Sequence, residues 1–74
     1  MQEYKINVGE VEELQTINNI RALDRIFKVA QSTIVNGEVV VLERKQANGT
    51  REKFDTLTTL EDLEAYKKSV YKYL

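Results

Sequence analysis

The chain has 74 residues, with 11 Lys and Arg against 12 Asp and Glu, and a formal net charge of −1. It has neither cysteine nor histidine, which excludes disulfides, thiolate zinc sites and histidine-based catalysis. A near-neutral chain is not, as a whole, attracted to nucleic acid. No apolar run approaches the roughly 18 residues of a membrane span. We therefore expect one cytoplasmic domain over residues 1–74, without metal or cofactor, near the lower size limit for folding without covalent or metal cross-links.

The N-terminal segment alternates in polarity, because Tyr4, Ile6 and Val8 are separated by polar residues. This alternation is typical of a half-buried strand. The strand either joins the sheet as a third member or forms a tethered arm. Residues 10–15 follow as a short acidic helix with its two apolar side chains facing inward. We treat residues 1–15 as an extension and residues 18–74 as the core of the domain.

A long amphipathic helix comes next, and either Asn18 or Asn19 can accept hydrogen bonds from its first free N–H groups. Its apolar stripe recurs every three or four residues and consists of Ile20, Leu23, Phe27, Ala30 and Ile34. Asn36-Gly37 is either a hairpin turn, which makes residues 32–35 a strand, or the end of this helix. We favour the helix because the stripe continues in phase through Ile34.

The clearest local signal is a β-hairpin, with β-forming residues at 39–42 and a turn at Asn48-Gly49. A four-residue loop would place like charges opposite each other, and a two-residue loop would place Leu42 opposite Asp55. A three-residue loop with a bulge suits a left-handed Gly49. This loop predicts four cross-strand pairs, Arg44–Glu52, Glu43–Lys53, Leu42–Phe54 and Val40–Thr56.

A second amphipathic helix follows the hairpin, and Thr58 or Thr59 stands at the capping-box distance from an acidic residue. Acidic residues near its start and lysines near its end complement the helix dipole. The predicted fold is therefore α+β, in the order helix, two-stranded antiparallel hairpin, helix (αββα), with an optional N-terminal strand. The predicted core is Ile20, Leu23, Phe27, Ala30, Ile34, Val40, Leu42, Phe54, Leu60, Leu63, Tyr66 and Val70.

No residue pattern indicates catalysis. Glu10, Glu12 and Glu13 do not converge on a helix, so we interpret them as solvated surface and predict no metal site. The hydroxyls of Thr58 and Thr59 have no base beside them and serve better as helix caps. We therefore predict a non-enzymatic protein with no catalytic residues.

A surface for a partner is predicted on the hairpin. Two helices cover only one face of a hairpin, so two valines on the other face need either the N-terminal segment or a partner to cover them. The basic residues around the turn either pair across the strands or bind an acidic partner. One tyrosine lies off the helical stripe and is expected to be exposed. The predicted interaction surface comprises Val39, Val41, Arg44, Lys45, Arg51, Lys53 and Tyr71.

Residues 20–73 combine a glycine before a valine-rich strand, a polar-Gly turn, a basic stretch ending in an aromatic, and a Thr-capped helix. These features are carried by Gly37, Val39 to Leu42, Asn48-Gly49, Arg51 to Phe54, Thr59, Asp62, Leu63 and Tyr66. In this helix–hairpin–helix pattern the chain resembles the head–tail joining proteins of tailed phages, the gpW-like family. The chain departs from the family pattern by its N-terminal extension.

The resemblance implies a structural adaptor of a phage or prophage particle, which assembles on connector components and is found in the virion. The residues alone leave a second hypothesis open, in which a small cytoplasmic regulatory module binds protein or nucleic acid through the hairpin. In a third hypothesis, a second copy of the chain covers the exposed valines, so that the protein self-associates.

Overall fold

The computed structural model describes residues 3–72 and 74, apart from the side chain of Phe54. The chain forms an α+β domain, as predicted, but β1 and α1 precede the long helix and are packed into the domain. No helix in the described part of the chain has both the length and the apolar character needed to cross a membrane. The elements in chain order are β1 (Glu3–Asn7), α1 (Val8–Thr16), α2 (Ile20–Val35), β2 (Val39–Lys45), β3 (Arg51–Leu57) and α3 (Leu60–Tyr71).

Within the described residues, three strands form one mixed sheet in the order β1-β2-β3. The N-terminal segment is therefore a strand of the sheet, parallel to β2, while β3 runs antiparallel to β2. A parallel pair needs a long crossover connection, which α1 and α2 supply. Val8, which we placed in the strand, is instead the first residue of α1.

Asparagines make both connections at the ends of α1. The Asn7 side chain accepts a hydrogen bond from the Gly9 N–H at 3.0 Å, so the strand passes directly into the helix. Asn18 adopts a left-handed conformation with φ 53° and ends α1. Asn19 then caps α2 by accepting from the Ala22 N–H at 3.2 Å. This resolves the predicted choice between the two asparagines in favour of Asn19 as the cap.

Helix α2 ends at a left-handed glycine. Gly37 has φ 84°, and its N–H donates to the Ile34 carbonyl at 2.9 Å. The Glu38 N–H donates to the Thr33 carbonyl at 3.0 Å. Together these two bonds form a Schellman motif. Residues 32–35 are therefore the last turn of a helix, as we favoured, and not a strand.

The hairpin has the predicted three-residue loop. The Gln46 N–H donates to the Thr50 carbonyl at 2.6 Å, and the Gly49 N–H donates to the Gln46 carbonyl at 3.0 Å. Gly49 is left-handed with φ 91°. Next to the loop, the predicted Arg44–Glu52 and Glu43–Lys53 pairs are both found.

Farther from the loop the predicted register is wrong. A bulge between Leu42 and Glu43 shifts the pairing by one residue. Leu42 then lies opposite Asp55, and Val40 lies opposite Leu57 instead of Thr56. The shift places Leu57 on the same sheet face as Val40, where its side chain is buried. The predicted core position of Phe54 falls on a side chain outside the described part of the chain.

The helices pack on one face of the sheet and enclose a single core. Thr59 caps α3 by accepting from the Asp62 N–H at 3.1 Å. Ile34 and Tyr66 are half-buried against the core. The buried residues of this core are Ile6, Val11, Leu23, Phe27, Ala30, Val40, Leu42, Leu57, Leu63 and Val70.

Two predicted core residues are largely exposed: the accessible fractions are 49% for Ile20 and 45% for Leu60. Each is the first residue of its helix, directly after the cap. The first residue of each helix keeps the apolar spacing of the stripe, but it lies beyond the part of the helix that is covered by the rest of the domain.

Candidate functional site: the outer face of the sheet

The sheet has one face turned away from the helices, which we call the outer face. Val40 and Leu42 of β2 point into the core, so the alternate residues of this strand point the other way. The pairing of β1 and β3 with β2 assigns their residues to the same two faces. The outer face carries Glu3, Lys5, Asn7, Val39, Val41, Glu43, Lys45, Arg51, Lys53 and Thr56.

Val41 is not left for a partner to cover. Of the two alternatives that we left open, the N-terminal segment and a partner, the N-terminal segment lies beside Val41 as β1. Only 2% of its surface is accessible, and Val39, at the start of the strand, is half-buried. Val41 lies in the central strand, where the register places Lys5 on one side and Thr56 on the other. The third strand therefore removes the predicted apolar contact surface, because neighbouring side chains can cover a residue in the middle of a sheet.

A buried carboxylate lies on the outer face. The side chain of Glu43 is only 10% exposed, whereas that of Arg51 is 60% exposed. The Arg51 Nη1 donates to the Glu43 Oε1 at 3.0 Å. A charge-assisted bond of this kind stabilises a carboxylate that has lost most of its water. It also holds the guanidinium of Arg51 near the middle of the outer face.

Three lysines surround this ion pair. Lys5, Lys45 and Lys53 make no ion pair with any carboxylate of residues 3–72 and 74. With Arg51 they form a positively charged area that we call the basic patch. Part of it borders a shallow depression of about 240 Å³. The depression is lined by Lys5, Asn7, Glu10, Glu43, Lys45 and Arg51.

Arg44 was predicted to belong to this surface but lies on the helix side of the sheet. Its Nη2 is 2.6 Å from the Glu12 Oε1 of α1. Because successive residues of a strand point to opposite faces, Arg44 and Lys45 are directed to different sides. The structure thus separates the basic residues that the sequence placed together.

Tyr71 is also misplaced by the sequence prediction, because it is half-buried and not exposed. Its ring contacts that of Phe27, with 5.7 Å between the centroids and 72° between the planes. Its hydroxyl donates a hydrogen bond to the Asp24 carboxylate. Burial first, and then the Asp24 carboxylate, raise the pKa of Tyr71 to about 12. Tyr71 therefore joins α3 to α2.

Sequence reasoning missed Lys5 as a member of the basic patch. The alternation in residues 4–8 already placed it on the side opposite Tyr4 and Ile6. The missing information was the pairing of β1 with β2, which brings Lys5 beside Val41. Sequence reasoning also missed an open groove of about 640 Å³ between α2 and α3. Its lining includes the apolar side chains of Phe27, Leu60 and Leu63.

The arrangement of the outer face suits the binding of anions. Lysine and arginine side chains donate hydrogen bonds and carry charge, so a carboxylate or phosphate group is the matching chemistry. Among residues 3–72 and 74, no three acidic side chains lie close enough to hold a metal ion.

A comparison with models of known families, with curated proteins and with solved structures found no match for this chain. The likeness to the head–tail joining proteins therefore depends on the residues quoted above.

Proposed function

We propose that this protein is a non-enzymatic structural adaptor, which binds an acidic surface of a partner protein through the basic patch. One observation carries the proposal: Lys5, Lys45 and Lys53 lie on the same sheet face as Arg51, and none of the three makes an ion pair with a carboxylate of the described residues. A rigid sheet holds charged groups at defined spacings, which favours recognition of a complementary surface.

The shape of the outer face supports a macromolecular partner. Its depression of about 240 Å³ is smaller than the roughly 300–1,000 Å³ of typical small-molecule sites. Glu43 is neutralised by Arg51, and the three lysines outnumber the two other acidic side chains of this surface, Glu3 on the outer face and Glu10 at the depression. The larger groove between α2 and α3 carries charges of both signs on its rim and does not favour one class of ligand.

More specifically, we propose that the adaptor is a head–tail joining component of a phage or prophage particle. The resemblance in Gly37, residues 39–42, Thr59 and Tyr66 supports this form. The partner is then a ring of connector subunits, and the protein is located in the virion, or in the cytoplasm before assembly. A partner ring that presents carboxylates would bind several copies at once.

A binding measurement tests the basic patch. The double variant Lys45→Gln/Lys53→Gln should bind the purified connector or tail protein encoded beside the gene about tenfold more weakly. Lys28→Gln/Lys68→Gln on the helices removes the same charge and should bind like the unaltered protein. Equal affinity of both double variants would disprove the role of the basic patch. A gene surrounded only by metabolic genes would exclude the phage form of the proposal.

The same three lysines also favour a second function, a regulatory module that binds nucleic acid. Duplex DNA is the probe that separates the two functions. Tight binding of duplex DNA that weakens steeply between about 50 and 200 mM salt would support the second function. The adaptor proposal expects weak DNA binding and a preference for the acidic protein.

A further inference from the structure

The sheet has one edge that is open and regular. Within the described residues, β1 has a neighbouring strand on one side only, β2. An edge strand offers a row of backbone N–H and C=O groups for pairing with another strand. The pairing of β1 with β2 continues from Glu3 to Asn7 without a bulge.

The opposite edge, β3, is less suited to pairing. The register shift opposite Leu42 and Glu43 interrupts its regular spacing. Both edge strands carry exposed charged side chains, so the interruption in β3 is the feature that distinguishes the two edges. Bulges and charged side chains are the usual protection of an edge against association. The two edges thus differ in the features that control strand pairing.

We propose that β1 pairs antiparallel with β1 of a second copy, around a two-fold axis at Tyr4. Tyr4 then faces Tyr4 of the second copy, and Glu3 faces Lys5 of the second copy. The axis repeats this charge pair, so two opposite-charge contacts form. Such cross-strand pairs stabilise a sheet, and a two-fold axis makes the interface self-complementary.

The charges select this register over its neighbours. An axis at Lys5 would place the two lysines opposite each other, which is unfavourable. A shift by one residue would put the helices of the two copies on opposite faces of the joint sheet, so Tyr4 would lie beside the outer-face residues of the other copy. Only an axis at Tyr4 keeps the helices on one side and matches opposite charges.

Tyr4 strengthens the same register. It lies on the helix side of β1, is half-buried, and packs against the core. In the dimer the two Tyr4 rings become cross-strand neighbours beside the two cores. Aromatic pairs across strands contribute to pairing beyond their backbone bonds.

The dimer has one continuous sheet in the order β3-β2-β1-β1-β2-β3. Its outer faces join, so the residues Lys45, Arg51 and Lys53 of both copies lie on one surface. Lys5 of each copy is then paired with Glu3 of the other. This inference does not depend on the proposed function, because the dimer is measured without a partner.

The molar mass in solution tests the proposal. The mass of the unaltered protein should rise from one copy to two copies as its concentration increases from about 10 µM to about 1 mM. Glu3→Lys and Lys5→Glu each replace two attractive contacts with two repulsive ones, and each should raise the dimer dissociation constant about tenfold or more. The variant with both changes exchanges the charges and should restore dimerisation.

Arg21→Glu is the control for Lys5→Glu, since it changes the net charge equally at an exposed site on α2. It should dimerise like the unaltered protein, and circular dichroism verifies that each variant is folded. A mass of one copy at all concentrations would overturn the proposal, and this measurement needs no variant. Single exchanges without effect, or a double exchange that does not restore the dimer, would overturn the register.

Discussion

Arg44 of β2 and Glu12 of α1 are joined by an ion pair, with 2.6 Å between Nη2 and Oε1. The pair connects the hairpin to an N-terminal helix that is more than 30 residues away in sequence. It keeps Arg44 on the helix side, whereas Lys45 remains on the outer face. Arg44 therefore joins the sheet to α1, whereas its neighbour Lys45 belongs to the basic patch.

The strength of this ion pair can be measured with Glu12→Gln, Arg44→Gln and the double variant. Both side chains are half-exposed, so we expect a coupling free energy of only about 0.5 kcal/mol, which decreases as salt is added. Urea unfolding of the four proteins measures it. A coupling free energy that does not respond to salt would contradict an electrostatic origin.

Tyr66 offers a stabilising substitution. Its hydroxyl is buried and has no hydrogen-bond partner among the described residues, while its ring contacts that of Phe27 at 5.7 Å between centroids. Tyr66→Phe keeps the ring contact and removes the unpaired polar atom. We expect the free energy of unfolding to rise by about 1 kcal/mol. Tyr71→Phe, which loses the hydrogen bond to Asp24, should instead lower it. A loss of stability in Tyr66→Phe would show that the hydroxyl is bonded in solution.

Alkaline pH should destabilise the protein through the same residue. Burial, followed by the charge of Glu12, raises the pKa of Tyr66 to about 12, and Arg44 opposes the shift. The folded state then holds the phenolic proton more tightly than the unfolded state, whose tyrosine pKa is about 10. Stability is therefore complete below pH 10 and falls between about pH 10 and pH 12.

The comparison is urea unfolding at about pH 9 and pH 11. The unaltered protein should lose more stability than Tyr66→Phe over this interval, by roughly 1 kcal/mol or less, because water screens a half-buried group. Parallel losses in both proteins would mean that the alkaline transition does not involve Tyr66.

Gly37 should tolerate few replacements, although there is space for a side chain. Apart from the adjoining residues of the chain, no atom of the described residues lies within 4 Å of a Cβ added at this position, yet the backbone has φ 84°. Gly37→Ala should therefore lower the free energy of unfolding by about 1 kcal/mol through backbone strain alone. Gly37→Asn should cost less, since asparagine enters the left-handed region more easily. Thermal unfolding ranks the two variants, and equal melting temperatures would contradict the argument from φ.

Local structure was predictable wherever the determining groups are close in sequence. Helix caps at Asn19 and Thr59 and left-handed glycines at 37 and 49 follow from interactions that span at most five residues. The register shift at Leu42 was not predictable in this way. The charge pairs next to the loop form whether or not the bulge is present. The bulge decides only the residues beyond it, where it brings Leu57 to the core face of the sheet.

The outer face was only partly predictable. Periodicity in β2 separated the two faces of that strand, but the predicted Val40–Thr56 pair placed Thr56 on the wrong face of β3. Lys45, Arg51 and Lys53 share the outer face, although the prediction grouped them only by their closeness to the turn. The alternation of side chains along β2 also assigns Arg44 to the helix side. The prediction nevertheless placed Arg44 with the other basic residues near the loop, because they are close together in sequence. That Lys5 joins the basic patch depends on the parallel pairing of β1, for which residues 1–8 contain no signal of partner or direction.

The amino-acid pattern predicted the α+β class, the left-handed Gly49 of the hairpin loop and most of the buried stripe, and it narrowed the caps of α2 and α3 to two residues each. Hydrophobic periodicity and capping act within a few residues, so a single segment contains them. The packed fold was needed to show the burial of Val41, the contact of Tyr71 with Asp24, and the pairing of β1 with β2. Burial and strand order arise from contacts between segments more than 30 residues apart. Which of these contacts form depends on the free energies of all alternative packings of the chain, and a short stretch of sequence does not contain that information.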